Sequence, residues 1–228
     1  MGKIILLRHG ESQWNQQNRF TGWEDVPLTQ KGVEEARRAA NLIKRSGIII
    51  DGACTSVLNR AIHSLWLIME TLNQLWLPVD KSWRLNERHY GALQGMNKDE
   101  AAQQIGQNIV YHCRRSYRGI PPPLLDAPAL LHREARYRHV SLTDLPAGES
   151  LEMTQRRLLP YWHHVIVPRV ASGETMLLVS HANALRALTM FIEQIDENKV
   201  PDLHVLTGIP VLYEMNENRA ITARYSLE

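Results

Sequence analysis

Short apolar runs separate longer stretches in which apolar residues recur every three or four positions. Runs at residues 3–7, 52–55 and 175–180 are mainly apolar, and a similar run lies near residues 210–215. Short runs that do not alternate with polar residues are typical of strands buried on both faces of a parallel sheet. We therefore predict a strand at each of these four runs.

Helical periods lie between these runs. One predicted helix is capped by Thr29 and continues to about Lys44, with its apolar residues on one face. Another follows Ser56, and its apolar positions recur as far as Trp76, before Pro78 ends the helix. Two further helices are predicted at about residues 150–167 and 185–195.

Strands that alternate with helices predict an α/β fold with a mostly parallel central sheet and helices on both faces. The stretch from residue 111 to residue 146 shows no clear period and includes three consecutive prolines. We therefore predict an ordered insertion, or cap, at about residues 97–148. The sequence has no internal repeat or linker, and its length is sufficient for one core, so we expect a single domain over residues 1–228.

Composition and charge narrow the possible classes of function. Twenty-six basic and 24 acidic residues give a net charge of +2, which is too small to indicate a nucleic-acid or membrane partner. The two cysteines, Cys54 and Cys113, cannot build a disulfide framework or a Cys-x-x-Cys metal site, and they fit a reducing compartment. No apolar run is long enough for a secretory signal or a membrane span. We expect a soluble, cytoplasmic protein.

Two histidines directly follow predicted strands: His9 after the first, and His181 after residues 175–180. Open α/β sheets bind ligands at the carboxyl ends of their strands. A single histidine in such a place is more often structural than catalytic, but Arg8 adds a cation beside His9, and Gly10 leaves room for backbone amides to approach an anion. These are the groups needed to bind a phosphoryl group next to an imidazole nucleophile.

Residues 7–12, Leu-Arg-His-Gly-Glu-Ser, resemble the signature of the histidine phosphatase superfamily. Longer stretches are similar to one family within it, the cofactor-dependent phosphoglycerate mutases. These stretches are residues 14–15, 18–23, 27–29, 83–95, 114–117, 148–151, 160–162 and 207–214. The resemblance covers nearly the whole chain, so it is far more specific than one short motif.

The resemblance implies roles for the main polar residues. His9 becomes the nucleophile and Glu87 the general acid and base, because a phosphoryl group that moves between oxygens needs a proton donor and acceptor. Arg8, Arg60 and His181 are placed around the transferred group, where they stabilise negative charge. Without the family context, Arg60 and Glu87 would be ordinary solvated charges. The implied substrate-binding residues are Ser12, Asn15, Thr21, Gly22, Arg60, Tyr90, Lys98, Arg114, Arg115, Ala182 and Asn183.

The activity that the resemblance implies is the interconversion of 3-phosphoglycerate and 2-phosphoglycerate, in glycolysis and gluconeogenesis. A phosphohistidine at His9 would carry the phosphoryl group, 2,3-bisphosphoglycerate would act as primer, and no metal would take part. Members of the family commonly associate, so a homodimer is expected. Two alternatives stay open: a phosphatase, in which water takes the phosphoryl group, and a binding protein without activity. Retention of Tyr90, Lys98 and the adjacent arginines favours the mutase.

Four features depart from the family pattern, and one of them is an apparent extra residue in the segment from Tyr117 to Pro121. Ala182 stands where glycine is usual, and we expect its φ to be below zero, because a positive φ would cost an alanine about 1–2 kcal/mol. Residues 103–113 are unlike the usual segment, with Cys113 where an aromatic residue normally precedes the arginine pair. The sequence stops at Glu228, without the longer tail of many members. We expect the last two differences to increase transfer of the phosphoryl group to water.

Overall fold

A six-stranded mixed sheet forms the centre of the protein in the computed structural model, which describes residues 1–228. The strands are β1 (Gly2–Arg8), β2 (Gly52–Thr55), β3 (Val79–Lys81), β4 (Thr175–Ser180), β5 (Val211–Met215) and β6 (Ile221–Ser226). Their order across the sheet is β3-β2-β4-β1-β5-β6. Pairs among the first four strands are parallel, whereas β5 pairs antiparallel with both β1 and β6. The predicted α/β fold with a mostly parallel sheet is confirmed.

Alternate residues of β1 face opposite sides of the sheet. Ile4 and Leu6 belong to a cluster of 17 buried residues, and Ile5 and Leu7 to a cluster of 16. The α-helices are α1 (Gln13–Gln16), α2 (Gln30–Arg45), α3 (Asn59–Thr71), α4 (Lys98–Ile105), α5 (Gln107–Arg115), α6 (Ala127–Arg133), α7 (Leu151–Tyr161), α8 (Val167–Ala171) and α9 (Ala182–Ile192). The first cluster includes side chains of α7 and α9, and the second includes those of α2 and α3, so helices cover both faces as predicted. None of the helices is both long enough and apolar enough to cross a lipid bilayer.

The predicted start of α2 is confirmed, and the predicted end of α3 is not. The hydroxyl of Thr29 accepts a hydrogen bond from the amide of Gly32 and so caps α2. The prediction that the next helix continues to Trp76 was wrong, because α3 ends at Thr71 and Asn73 adopts a left-handed backbone conformation with φ of 57°. Trp76 is 73% exposed and lies outside the core.

Two other helices differ from the sequence pattern near their ends. Ile195 lies beyond the end of α9. The helix predicted for residues 150–167 is confirmed, but it continues to Ala171 and includes a π-helical segment (Trp162–Ile166) between α7 and α8. Pro160 and Pro168 lie on either side of this segment, and each lacks the amide hydrogen that an α-helical bond requires.

Strands β3 and β6 were not predicted. β3 has three residues, too few to produce a recognisable pattern. β6 lies at the edge of the sheet, and most of its side chains are exposed. Edge strands of this kind bury little apolar surface and often carry polar residues, so the apolar-run criterion does not detect them. The strand predicted near residues 210–215 is β5.

The region predicted to be an insertion, residues 97–148, is more regular than the sequence pattern indicates, because it contains α4, α5 and α6. We refer to these residues as the inserted region. These helices have seven to nine residues, and each buries one or two side chains. Too few positions are buried to give a clear period. Residues of α4 and α5 pack with Phe20 and Tyr90 in a cluster of five buried residues. Helices α4 and α5 therefore pack on a small cluster that they share with residues outside the region, and Leu131 of α6 belongs to a second cluster of five buried residues.

Candidate active site

The parallel pairing of β1 with β4 brings the two histidines together. Arg8 lies opposite Ser180 in the register, so the next residues, His9 and His181, leave neighbouring strand ends. The amide of His9 donates a hydrogen bond to the carbonyl of Ser180 at 3.0 Å. The ring centroids of the two histidines lie 4.9 Å apart, and both side chains are buried. The candidate site is thus built at the carboxyl edge of the sheet.

The geometry of His9 leaves one ring nitrogen free to act as a nucleophile. Its Nδ1 lies 2.6 Å from the carbonyl oxygen of Gly10, which can only accept a hydrogen bond. The proton must therefore be on Nδ1, and the lone pair is on Nε2. Burial, and then the positive charges of Arg60 and Arg8, lower the pKa of His9 well below its ordinary value of 6.5. The imidazole is neutral near pH 7, as nucleophilic attack requires.

The ring of His181 stands beside His9 with one nitrogen unpaired. Its Nε2 lies 2.7 Å from the hydroxyl oxygen of Ser56, while its Nδ1 is buried without a hydrogen-bond partner. Burial, then Arg60 and His9, lower the pKa of His181 well below 6.5. When the hydroxyl of Ser56 donates to Nε2, the proton of the neutral ring is on Nδ1. This nitrogen can then donate to an oxygen of a group held at His9.

Arg60 and Arg8 place positive charge close to His9. Arg60, in the first turn of α3, is 1% exposed and donates to the carbonyls of Glu24 and Gly22 at 2.7 Å each. Burial lowers the pKa of Arg60 to about 10, so it stays charged near neutral pH. Arg8, the last residue of β1, donates through Nη1 to the carbonyl of Val205 at 3.0 Å. Both guanidinium groups are held by backbone carbonyls and keep their charge for a bound anion.

Glu87 places an acidic side chain near Arg8 and Arg60, and its charge acts to raise the pKa of each. It is 7% exposed and lies in an irregular segment rather than on a strand or helix. Its Oε1 accepts hydrogen bonds from the amide of Arg88 at 2.8 Å and from the amide of Asn183 at 3.0 Å. The second amide belongs to the first turn of α9, where the helix dipole also favours a carboxylate. The carboxylate is therefore held on one oxygen only.

A cavity of about 210 Å³ opens above the strand ends. Its lining includes the predicted site residues Arg8, His9, Asn15, Thr21, Gly22, Arg60, Glu87, Tyr90, Lys98, Arg114, Arg115, Ala182 and Asn183. Glu87 is the sole acidic residue of the lining, while the basic residues are Arg8, Arg19, Arg60, Lys98, Arg114, Arg115 and Arg186. A small cavity with this balance fits a small ligand that carries several negative charges.

Two predicted site residues do not line the cavity. His181 lies beside His9, with ring centroids 4.9 Å apart, but its own side chain is not part of the lining. Ser12 is fully buried and caps α1: its hydroxyl accepts from the amide of Asn15 at 3.3 Å, and its own amide donates to Oδ1 of Asn15 at 3.1 Å. This capping box explains Ser12 without a ligand, and it positions Asn15, which does reach the cavity.

Several lining residues were not predicted from the sequence. Arg186 follows Ala182 by one turn of α9, so helical spacing from the predicted Asn183 was a usable signal. Burial, and then the charge of Arg88, lower the pKa of Arg186 to about 10. The other unpredicted residues are Arg19, Phe20, Leu203, His204 and Val205. The last three belong to a segment without regular structure, and no local pattern marks them.

The structure gives Gly10 a role different from the predicted one, and it confirms the expected backbone conformation of Ala182. Gly10 does not offer its amide to a ligand, because this amide donates to the hydroxyl of Ser64 at 3.1 Å. Glycine is required there for a different reason: an added Cβ would lie 2.0 Å from the carbonyl oxygen of Gly32 in α2. Ala182 begins α9 and is absent from the residues with positive φ, so the predicted negative φ is confirmed.

A neutral histidine beside Arg8 and the buried Arg60, at the carboxyl edge of an α/β sheet, has the groups that transfer of a phosphoryl group through histidine requires. Residues 4–136 and 127–226 match the family model of the histidine phosphatase superfamily, branch 1. The chain belongs to this superfamily. It is also 45% identical, over 228 residues, to a 2,3-bisphosphoglycerate-dependent phosphoglycerate mutase from Blochmanniella pennsylvanica (strain BPEN). That match covers 99% of this chain and 98% of the relative.

Solved structures share the fold at lower identity. YhfR of Bacillus stearothermophilus matches with a TM-score of 0.75 and 24% identity, over 97% of this chain and 94% of that one. A putative α-ribazole-5′-P phosphatase from Escherichia coli str. K-12 substr. MG1655 matches with a TM-score of 0.75 and 22% identity, over 100% and 96% of the two chains. At these identities the likeness concerns the fold alone.

Proposed function

We propose that this protein interconverts 3-phosphoglycerate and 2-phosphoglycerate through a phosphohistidine at His9, with 2,3-bisphosphoglycerate as primer. The observation that carries the proposal is the neutral His9, whose Nε2 lone pair is free beside a cavity lined by basic residues and Glu87. The named activity of the Blochmanniella pennsylvanica relative, with 45% identity over nearly the full length of both chains, supports it. The reaction belongs to glycolysis and gluconeogenesis, and we place it in the cytoplasm.

In the proposed first step, Nε2 of His9 attacks a phosphorus atom of the primer. The N–P bond forms as the bond from phosphorus to the glycerate oxygen breaks, and that oxygen takes a proton from the carboxyl group of Glu87. In the second step, a hydroxyl of the bound acid attacks the same phosphorus and gives its proton to Glu87, while the N–P bond breaks. Arg8, Arg60 and His181 stabilise the negative charge of the phosphoryl oxygens in both steps.

The rest of the ligand would bind to the basic residues farther from His9. Arg114 and Arg115 suit a carboxylate or a second phosphate, because a guanidinium can bind either group through two parallel hydrogen bonds. Burial, then the charge of Arg114, lower the pKa of Lys98. Burial acts to raise the pKa of Tyr90, but Arg88 and other cations outweigh it and lower this pKa. The hydroxyl of Tyr90 accepts a hydrogen bond from the side-chain amide of Asn183 at 3.1 Å.

A coupled assay that detects 2-phosphoglycerate, run with and without 2,3-bisphosphoglycerate, tests the proposal. We expect conversion of 3-phosphoglycerate that rises with the primer and persists in EDTA, since arginines rather than a metal neutralise the transferred group. Release of inorganic phosphate without formation of 2-phosphoglycerate would indicate a phosphatase. If neither product forms, the chain is a binding protein. Loss of activity in EDTA that a divalent cation restores would contradict the metal-free mechanism.

The proposal includes a homodimer. Exposed apolar side chains support it, since Trp66, Leu75 and Trp76 are 40%, 62% and 73% exposed. Trp66 and Leu75 line one shallow surface pocket, and the ammonium group of Lys81, on the edge strand β3, lies over the ring of Trp66. Surface patches of this kind are common at interfaces between proteins. Sedimentation velocity of the wild type and of Trp76→Lys tests this part: a dimer that the substitution dissociates is expected, and a monomeric wild type would contradict it.

A further inference from the structure

The segment that carries Glu87, residues 83–89, is buried although little of it has regular structure. A 3₁₀ turn occupies Trp83–Leu85, and the residues from Leu85 to His89 are all buried. Buried amides and carbonyls that are not paired within a helix or a sheet need other partners. The identity of those partners therefore determines how firmly Glu87 is held.

The guanidinium group of Arg157, on α7, donates hydrogen bonds to several carbonyls of this segment. Its Nη1 donates to the carbonyls of Trp83 at 3.2 Å and Arg84 at 2.7 Å. Its Nη2 donates to the carbonyls of Asn86 and Glu87, at 3.2 Å each. Four carbonyls that lie close together in the sequence thus converge on one side chain from another part of the chain.

Glu149 holds this guanidinium in its orientation. The Oε1 atom of Glu149 accepts from Nε of Arg157 at 2.7 Å, and Oε2 accepts from Nη2 at 3.0 Å. The same Oε2 accepts from the amide of His89 at 2.8 Å, at the far end of the segment. The side chains of the pair are 5% and 3% exposed. A buried bidentate pair is geometrically specific, so its parts cannot shift independently.

The pair acts on the backbone of Glu87 and does not contact its carboxylate. Its carboxylate oxygen is held by the amides of Arg88 and Asn183, and its carbonyl is held by Arg157 and by the indole nitrogen of Trp23. A shift of the backbone would move the carboxylate away from the oxygen to which it gives a proton. We infer that Arg157, oriented by Glu149, is a positioning residue for proton transfer by Glu87; this inference rests on the proposed function and deepens it.

Substitution of Arg157 by lysine separates charge from geometry. Lysine keeps a positive charge beside Glu149, but it has no planar fork that can bind several carbonyls at once. A displacement of a catalytic group by about 1 Å costs about 10²-fold in rate. We therefore expect Arg157→Lys to lower, by about 10²-fold, the rate of any step in which Glu87 must give or take a proton.

The experiment compares two phosphoryl donors in single-turnover phosphorylation of His9. The leaving oxygen of 2,3-bisphosphoglycerate needs a proton from Glu87, whereas 4-nitrophenyl phosphate releases a stable anion without one. Arg157→Lys and Glu87→Gln should each slow phosphorylation by 2,3-bisphosphoglycerate and leave phosphorylation by the aryl phosphate little changed. In the double variant, Arg157→Lys should add little to the effect of Glu87→Gln, because both remove the same contribution.

Matched variants distinguish positioning from general stability. Arg156, the neighbour on α7, is 79% exposed, and Arg156→Lys should leave both rates unchanged. Glu149→Gln provides a second disruption of the pair and should reproduce the donor selectivity even if Arg157→Lys folds poorly. Equal losses with both donors, or additive losses in the double variant, would overturn the inference. If neither donor phosphorylates His9 in the wild-type protein, the proposed function is overturned as well. If His9 is phosphorylated but no 2-phosphoglycerate forms, only the mutase reaction is overturned.

Discussion

Two regions share the candidate active site, and they are built in different ways. The carboxyl edge of the sheet holds His9 and His181 at the ends of β1 and β4, which are paired in register and packed between clusters of 17 and 16 buried residues. The inserted region contributes Lys98, Arg114 and Arg115 from helices of eight and nine residues, which pack on a cluster of five. The edge is thus held by the main core, and the inserted region by a small one.

The side chains of the two regions also differ in their exposure to solvent. At the sheet edge His9, His181 and Arg60 are buried. Arg114 and Arg115 are partly exposed and are secured mainly through their carbonyls, which accept from Arg88 and Arg186. Fixed groups that exclude water stabilise a transition state most effectively, whereas accessible groups are suited to capture of a ligand. We expect substitutions at the edge to lower kcat and substitutions in the inserted region to raise KM.

The largest effect should come from His9→Ala. Loss of the nucleophile should lower kcat by roughly 10⁴-fold or more and abolish covalent labelling by radioactive 2,3-bisphosphoglycerate. The label on the wild type should be labile in acid and stable in alkali, as a phosphoramidate is. His139→Ala, which replaces an exposed histidine of the inserted region, is the matched control and should retain the label. Label that persists in His9→Ala, or that resists acid, would exclude His9 as the nucleophile.

A smaller loss is expected for Arg60→Lys, also at the sheet edge. The guanidinium of Arg60 is held by two carbonyls next to His9, and a lysine cannot keep both contacts and the same charge position. Removal of one preorganised donor should lower kcat by about 10²–10³-fold with little change in KM. Steady-state kinetics provide the measurement, with the exposed Arg38→Lys as control. A raised KM with normal kcat would mean that Arg60 only binds the ligand.

Arg115→Ala tests the inserted region in the same assay. Loss of a charged hydrogen bond to the ligand should cost about 1.5–3 kcal/mol of binding, seen as a rise in KM, while kcat stays close to that of the wild type. Arg118→Ala is the control, because Arg118 is exposed in the same region and pairs with Glu197 at 3.0 Å. A drop in kcat at constant KM would show that the two regions do not divide binding and chemistry in this way.

The smallest effect concerns stability and compares a buried histidine near the edge with an exposed one. Burial lowers the pKa of His89 to about 4, and its Nδ1 accepts from the amide of Gly91 at 3.0 Å. The unfolded chain takes up this proton near the ordinary value of 6.5, so the unfolded state binds more protons between pH 6.5 and pH 4. The contribution of His89 to stability is complete above pH 6.5, and about 2 kcal/mol of it should be lost at pH 5.

Urea unfolding at pH 8 and pH 5 measures this contribution. The free energy of unfolding of His89→Gln should depend less on pH than that of the wild type, whereas His139→Gln, at an exposed position, should keep the wild-type dependence. The buried rings of His9 and His181 act in the same direction, so some pH dependence should remain in His89→Gln. An unchanged dependence in that variant would show that folding does not lower the pKa of His89.

Features that arise from consecutive residues were predictable from the sequence. A strand buried on both faces is apolar along its length, and so β1 and β4 were recognised together with the histidines that follow them. The cap of α2 at Thr29 is made within one helical turn, and it was predicted correctly. The resemblance to a known family then named the residues that were expected to surround His9, most of which the fold brings to one cavity.

Features that depend on partners far apart in the sequence were not predictable. Gly10 is required by the carbonyl of Gly32 rather than by a ligand, and Arg186 and Arg157 hold carbonyls of segments more than 70 residues away. Which distant carbonyl a buried guanidinium meets depends on how helices and loops pack in space. Every buried polar group must find a partner, but no local pattern of residues records which one. Strands β1 and β4, with His9 and His181 directly after them, therefore follow from the sequence, and the contacts that hold the site in place follow from the folded arrangement.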